Sequence, residues 1–316
     1  MKFELKLKEK FNLQGHNLGI TALAYNEIKQ VIYSASLDKT IKTWKLEIDQ
    51  NNIISAISLS DSVEAHKKWI TDLKFVKNGQ LLISSSLDTT IKIWETKSDS
   101  LRSNLFFDDH SDYVQKILYL EKNDRLVSTG FEFKTNIWDL NNFKLSSGIE
   151  KQEISIISLA SSEDESILFM GSNNSEIIVW DLQHGQIIEK LAGQGPISDL
   201  KAIKGQNVLV AIDEYGGFYA WNMETFNQLF SSQLKELLYS IELVYVNRNA
   251  YIIIGGTNKM HIYSFPIKES LELKAHDDKI ISLLTIQVKK NHNREKKDYL
   301  ISGSLDKSVK IWEITS

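Results

Sequence analysis

Serine, histidine and an acid recur in this chain at fixed spacing. Together they are the parts of a nucleophilic hydrolase: a hydroxyl, a base to take its proton and a carboxylate to orient the base. The sets are His16, Ser34 and Asp38; His66, Ser84 and Asp88; and His276, Ser302 and Asp306. A further set, His110, Ser128 and Glu132, has Glu in place of Asp. Each set is followed by a tryptophan: Trp44, Trp94, Trp312 and Trp138 in the same order. A catalytic centre normally occurs once in a chain, whereas a device that recurs with the same companions belongs to the scaffold. A buried indole N–H, hydroxyl, imidazole and carboxylate can also satisfy one another. The recurrence therefore favours scaffolding over catalysis.

Other chemistry finds no footing. The chain has no GxxxxGK[ST] and no HExxH, which removes a P-loop and that zinc signature. Cysteine is absent, so disulfides, cysteine zinc sites and thiol catalysis are excluded. Histidines are scattered mostly one per repeat, which argues against a metal cluster. Gly216–Gly217 and Gly255–Gly256 read as tight turns or bulges, not phosphate cradles. No cofactor is expected.

The elements that position these residues are repeats. SLDKTIKTW (Ser36 to Trp44), SLDTTIKIW (Ser86 to Trp94) and SLDKSVKIW (Ser304 to Trp312) are near-copies. Weaker copies end at Trp138, Trp180, Trp221 and Tyr263, giving successive spacings of 50, 44, 42, 41, 42 and 49 residues. A period in the low forties with occasional insertions signals a repeat architecture. In the first repeat, Ile20 to Tyr25, Val31 to Ser36, Ile41 to Leu46 and Ile53 to Leu59 read as four short strands between polar turns. Apolar residues sit on both parities, as in strands covered on both faces. A count of only two prolines agrees with many inner strands.

Repeats of this kind, each closing its third strand with an aromatic residue, resemble the WD40 β-propeller family along the whole chain. His16, His66 and His110 each lie 28 residues before their tryptophan, and His276 lies 36 before Trp312, the excess fitting the insertion Lys289 to Lys297. That basic insertion reads as a solvated loop. The resemblance implies an all-β fold: a seven-bladed propeller of four-stranded antiparallel blades around a central channel, one domain spanning residues 1–316. The last repeat stops after its third strand, and the stretch Lys2 to Glu9 is expected to supply its missing outer strand and close the ring. By the same resemblance the four Ser, His, acid and Trp sets are buried structural tetrads.

The middle repeats depart from this pattern. The tetrad positions hold Gln152, Met170 and Asn174 in the fourth, Gly193, Ala211 and Tyr215 in the fifth, and Lys235, Ile253 and Thr257 in the sixth. Apolar packing is expected to replace the polar network there, with Gln233 to Leu238 a candidate helical turn.

With no catalytic constellation, function must lie in surface recognition. By resemblance, two positions per repeat face the usual partner surface. One precedes the tetrad acid, and the other lies three after the histidine. Leu305, Leu37, Trp69, Leu87, Tyr113 and Phe131 then form an apolar and aromatic arc, while Asn173, Ser155, Asp213 and Glu214 make the opposite side small or polar. Trp69 is the one tryptophan outside the strand-ending series, and exposed aromatics are favoured anchors. An enzyme would need a single carboxylate pair in the channel, for which Asp213 and Glu214 are the nearest candidates.

Composition narrows the partner. Hydrophobic residues are 42% and charged residues 25%, which excludes a disordered chain, a collagen and a coiled coil. The net charge is −4, and of 37 basic residues only Arg102, Arg125, Arg248 and Arg294 are arginine. Nucleic acid and phosphopeptides, which favour arginine, are therefore unfavoured as direct ligands. An apolar or lysine-containing protein segment suits the arc better. No apolar run reaches membrane-spanning length and no signal peptide is visible. The expectation is an intracellular protein, cytoplasmic or nuclear, acting as a noncatalytic interaction scaffold. The alternative is a structural subunit of a multiprotein or ribonucleoprotein assembly, docking through blade edges and loops. In both readings it is a monomeric propeller within a larger complex.

Overall fold

The computed structural model describes residues 5–96, 101–149, 153–247, 249–289 and 296–315. Among them it places 28 strands in seven four-stranded antiparallel sheets and no helix. Blade 1 comprises Ile20–Asn26, Val31–Ser36, Thr40–Ile48 and Ile54–Glu64, close to the four runs read from sequence. The stretch Gln233 to Leu238 is the end of a strand and a loop, not a helical turn. Its apolar residues are used singly, with Leu238 wholly buried and Leu237 exposed.

The ring closes through the N-terminus. Lys6–Leu13 pairs with Val309–Thr315 as the outer strand of blade 7, with Leu7 opposite Ile314 and Leu13 opposite Val309. The strand runs four residues past the expected end at Glu9, the ladder continuing through a bulge between Glu9 and Phe11 that shifts its register by one residue. The bulge also switches faces. Leu5 and Leu7 pack toward blade 6, whereas Phe11 and Leu13 pack toward blade 1. Phe3, expected to share the parity of Leu5, lies outside the described residues.

Packing is between blades. Seven apolar clusters each span two neighbouring sheets, so every sheet is covered on both faces. Val31–Ser36 is consequently buried at every residue, which is why its hydrophobic alternation is blurred. Inner strands are also stitched across blades by hydrogen bonds: Thr71 Oγ1 donates to Val114 O, Ser158 Oγ to Ile197 O, and Ser240 Oγ to Ile280 O. Close approach limits side chains here. A Cβ on Gly303 would stand 2.6 Å from Ile20 of blade 1.

The strand-closing tryptophan has a backbone consequence. In each blade where it occurs, the ladder to the outer strand shifts register beside it, as at Thr43/Trp44 and Ala220/Trp221. Blade 6, where Tyr263 replaces it, has no such shift. Its inner strand also lacks the bulge that the other six inner strands carry, such as Ile20/Ala22. Blade 6 is thus a regular sheet in a ring of bulged ones.

Candidate functional site

Each tetrad ties a loop that enters an inner strand to the turn between the second and third strands. In blade 1, His16 Nδ1 lies 2.9 Å from Asp38 Oδ2, and His16 Nε2 lies 2.8 Å from Ser34 Oγ. Trp44 Nε1–H donates to the same Ser34 Oγ at 2.8 Å. Ser34 spends its own proton on His16 Nε2, which leaves Nδ1–H for the carboxylate. Asp38 also accepts from Asn17 N and Thr40 Oγ1. Burial pushes the Asp38 carboxyl up, but the hydrogen bonds from His16 and Thr40 win and hold it well below the usual carboxylate range.

Blade 2 repeats the arrangement with His66 3.0 Å from Asp88 and 2.7 Å from Ser84, and Trp94 2.8 Å from Ser84. Blade 7 does so with His276 2.8 Å from Asp306 and 2.7 Å from Ser302, and Trp312 2.9 Å from Ser302. In blade 3, His110 bonds Glu132 and Ser128, and Trp138 donates to Ser128 at 2.7 Å. The longer Glu132 leaves its Oε2 buried without a hydrogen-bond partner. These are the contacts of a Ser-His-acid triad. Yet Ser34, Ser84, Ser128 and Ser302 are all wholly buried, with an indole N–H already on each hydroxyl. No substrate carbonyl can reach them.

The middle blades contain polar networks that sequence reading missed. In blade 5, Asp213 is the hub: it accepts from Tyr219 OH at 2.7 Å and from the N–H groups of Gln194, Gly195, Tyr215 and Gly217. The acid stands two residues before the position read as the tetrad acid, Tyr215, which instead points out, 61% exposed. In blade 6 the roles are exchanged. The carboxylate, Glu236, sits on the entering loop, and the imidazole, His261, sits on the third strand. Thr257 N also donates to Glu236. The signal was His261 itself, a histidine with no tetrad position in its repeat. Blade 4 keeps Met170 and Trp180 in its apolar core, while Gln152 lies outside the described residues.

Asp213 and Glu214 form no carboxylate pair in the channel, because Asp213 is wholly buried in its turn and Glu214 is exposed on the outer end. The channel is a cavity of about 550 Å³ whose lining includes Asp72, Lys74, Lys116, Asp199, Lys201 and Glu242. Asp72 pairs with Lys74 at 3.0 Å and faces Lys116 at 3.6 Å, and Lys201 pairs with Glu242 at 3.3 Å. Burial alone would raise Asp72, but Lys116 and Lys74 hold it below its ordinary value. Glu242 holds Lys201 above its own. Asp199 accepts from the N–H groups of Leu200 and Ile241.

On the end of the ring carrying the histidine loops, backbone hydrogen bonds join the two positions in six of the repeats. Leu37 N donates to Gly19 O, Leu87 N to Trp69 O, Phe131 N to Tyr113 O, and Leu305 N to Lys279 O. Asn173 with Ser155 and Glu214 with Pro196 follow the same rule. Blade 6, lacking the inner bulge, bonds Tyr239 N to Gly255 O and turns Leu238 into the core. Trp69, Tyr113 and Phe131 are exposed, Trp69 by 50%, and Leu37, Leu87 and Leu305 are half-buried. Leu305 leans over Gly19, whose added Cβ would lie 2.5 Å from its Cδ2. The loop of blade 2 meets blade 3 where the Lys68 ammonium lies 4.8 Å from the centre of the Tyr113 ring.

Four exposed apolar residues on this end were not among the expected ones: Leu18, Phe133, Tyr215 and Leu237. The last two place apolar surface on the side expected to be small or polar. Phe133 has φ +62°, at the turn position held in other blades by Lys39, Thr89, Ser175, Gly216 and Lys307, all with positive φ. A bulky residue in that region costs about 1–2 kcal/mol.

Among the described residues no group of three or more His, Cys, Asp or Glu is arranged to hold a metal, and no helix is long and apolar enough to cross a membrane. The family model for the WD domain, G-beta repeat (WD40) matches residues 7–45, 57–95 and 268–313. These segments hold the three inner strands of blades 1, 2 and 7, three of the tetrad-built blades, each preceded by the outer strand of the blade before. The chain therefore carries WD40 repeats in three segments, and four-stranded blades complete the ring between them into a seven-bladed β-propeller, a fold that in WD40 proteins generally serves as a protein-interaction scaffold.

Proposed function

We propose that the protein is a noncatalytic scaffold that grips a segment of a partner protein on the end of the ring around the channel mouth. Leu37, Trp69, Leu87, Tyr113, Phe131 and Leu305 are the contact residues. The observation that carries this reading is Trp69. It is half exposed, it fills no core, and it is hydrogen-bonded through its backbone to the turn that presents Leu87. Tryptophan and tyrosine exposed together are the residues that most often anchor interfaces. Affinity purification with mass spectrometry, comparing wild type with Trp69→Ala, tests it: partners lost from a folded variant support the reading, and an unchanged partner set refutes it. An intracellular location and a monomeric propeller inside a larger complex complete it.

A second reading, a structural subunit docking by blade edges, draws on a different observation. Outermost strands expose Leu59, Phe106, Leu145, Ile187, Leu229 and Leu271. In that case partners survive Trp69→Ala, and their loss on nuclease treatment marks a ribonucleoprotein assembly.

A further inference from the structure

Blade 3 closes the arc differently from the other blades. Its two loops expose three rings, Tyr113, Phe131 and Phe133, the last in a left-handed turn conformation. Tyr113 and Phe131 meet edge to face with centroids 6.3 Å apart. The two loops that carry them are joined by the Phe131 N–H bond to Tyr113 O at 2.9 Å. On the Tyr113 face rests an ammonium, that of Lys68 from the neighbouring blade, which among the described residues has no carboxylate within ion-pair distance. The loop that leads into Tyr113 carries Asp108, Asp109 and Asp112. Among the described residues none of these three has a basic side chain within ion-pair distance.

An aromatic face attracts cations through its quadrupole, and unpaired carboxylates on the loop that carries it add the same sign of selection. From these groups we infer that the blade 3 end of the arc is a subsite for a lysine or arginine side chain of the docking segment. In the free protein Lys68 occupies the place of that side chain. The flanking residues of the segment are apolar, because Phe131, Phe133 and, beyond Lys68, Trp69 offer them ring surface. The inference rests on the reading of this end as the docking surface. It adds the charge of the occupant and a competitor from the chain itself.

The test selects phage-displayed random dodecapeptides on the immobilised full-length protein, and measures the recovered peptides by titration against wild type and three variants. The expected outcome is enrichment of peptides with a lysine or arginine beside an apolar residue. Trp69→Ala should abolish their binding. Replacing Asp108, Asp109 and Asp112 together by Asn should weaken it about tenfold or more. Lys68→Gln should tighten it severalfold by removing the competitor. Near-ultraviolet circular dichroism on each variant verifies the fold. Peptides that need Trp69 but carry no basic residue, or that bind no better to Lys68→Gln, overturn the cation subsite and leave the docking surface standing. No enrichment, or enrichment indifferent to Trp69→Ala, overturns the surface reading itself.

Discussion

Blades 1, 2 and 7 on one side, and blades 5 and 6 on the other, perform the same task with different chemistry. Each must fasten the loop entering its inner strand to the turn between its second and third strands. Blades 1, 2 and 7 use histidine on the loop, aspartate on the turn, and a serine and tryptophan behind them. Blade 5 places one aspartate at the turn and lets it collect loop N–H groups directly, with Tyr219 OH in the place of the imidazole. Blade 6 exchanges the roles of acid and base. The constraint is thus a buried polar connection between loop and turn, and residue identity is secondary to it. An unsatisfied buried polar group costs about 1–3 kcal/mol, so a blade that loses one network must build another.

The largest effect should come from removing residues 1–12, which leaves the blade 7 tetrad intact but strips its outer strand. Leu5 alone is 1% exposed, and losing such a side chain costs about 2–5 kcal/mol. The exposed Val309–Thr315 edge should add aggregation. A melting temperature unchanged by the deletion would show that the tetrad suffices without closure. Next in size, Trp94→Ala should destabilise by about 3–5 kcal/mol and also strip the indole donor from Ser84, which keeps only its bond to His66. Asp213→Ala should cost about 3 kcal/mol or more, since buried N–H groups and the Tyr219 hydroxyl lose their acceptor together. Denaturant titration of the two variants side by side weighs the tetrad against its substitute. A near-neutral Asp213→Ala would mean that blade 5 holds by apolar packing alone.

Acid should act through the tetrads. The carboxyls of Asp38, Asp88 and Asp306 are raised by burial but lowered further by their histidine and hydroxyl donors, so their net pKa lies below the unfolded value of about 3.9. A depressed acid stabilises above its unfolded pKa, and that stability is lost as pH falls from there. Burial lowers His66 against the pull of Asp88, so protonation of the unfolded chain below about pH 6.5 destabilises too. Melting temperature should therefore be level above neutrality and fall in acid, first modestly and then steeply below about pH 4. Asp88→Asn should shrink the steep part. The smallest effect on stability belongs to Trp69→Ala, within about 0.5 kcal/mol, while binding loses about 2 kcal/mol or more, roughly thirtyfold.

The four tetrads were legible because they recur with fixed companions, and the strand runs of blade 1 were legible because turn residues punctuate them. The substitutes were not. Asp213 serves from a position two residues before the aligned one, and Glu236 and His261 carry each other's role, so position-by-position comparison finds only absences. The arc was legible as a set of positions, since backbone hydrogen bonds place those positions alike in six blades. Phe133, Tyr215 and Leu237 escaped because they stand outside the two positions per repeat that were read as facing a partner.

What the sequence by itself determined was the number of units, their four-strand grammar, and the need for the N-terminal stretch to complete the last one, because each follows from local periodicity and short hydrogen-bonded patterns. Only the tertiary structure decided which networks hold blades 5 and 6, how far the closing strand runs, and which aromatic rings stay in water. Those depend on single-residue bulges and on groups distant in sequence that meet only when the ring is closed. The bulge at Lys10 shows the reason: one unpaired residue turns Phe11 and Leu13 toward blade 1 instead of blade 6, and no pattern of residue types around it announces the change.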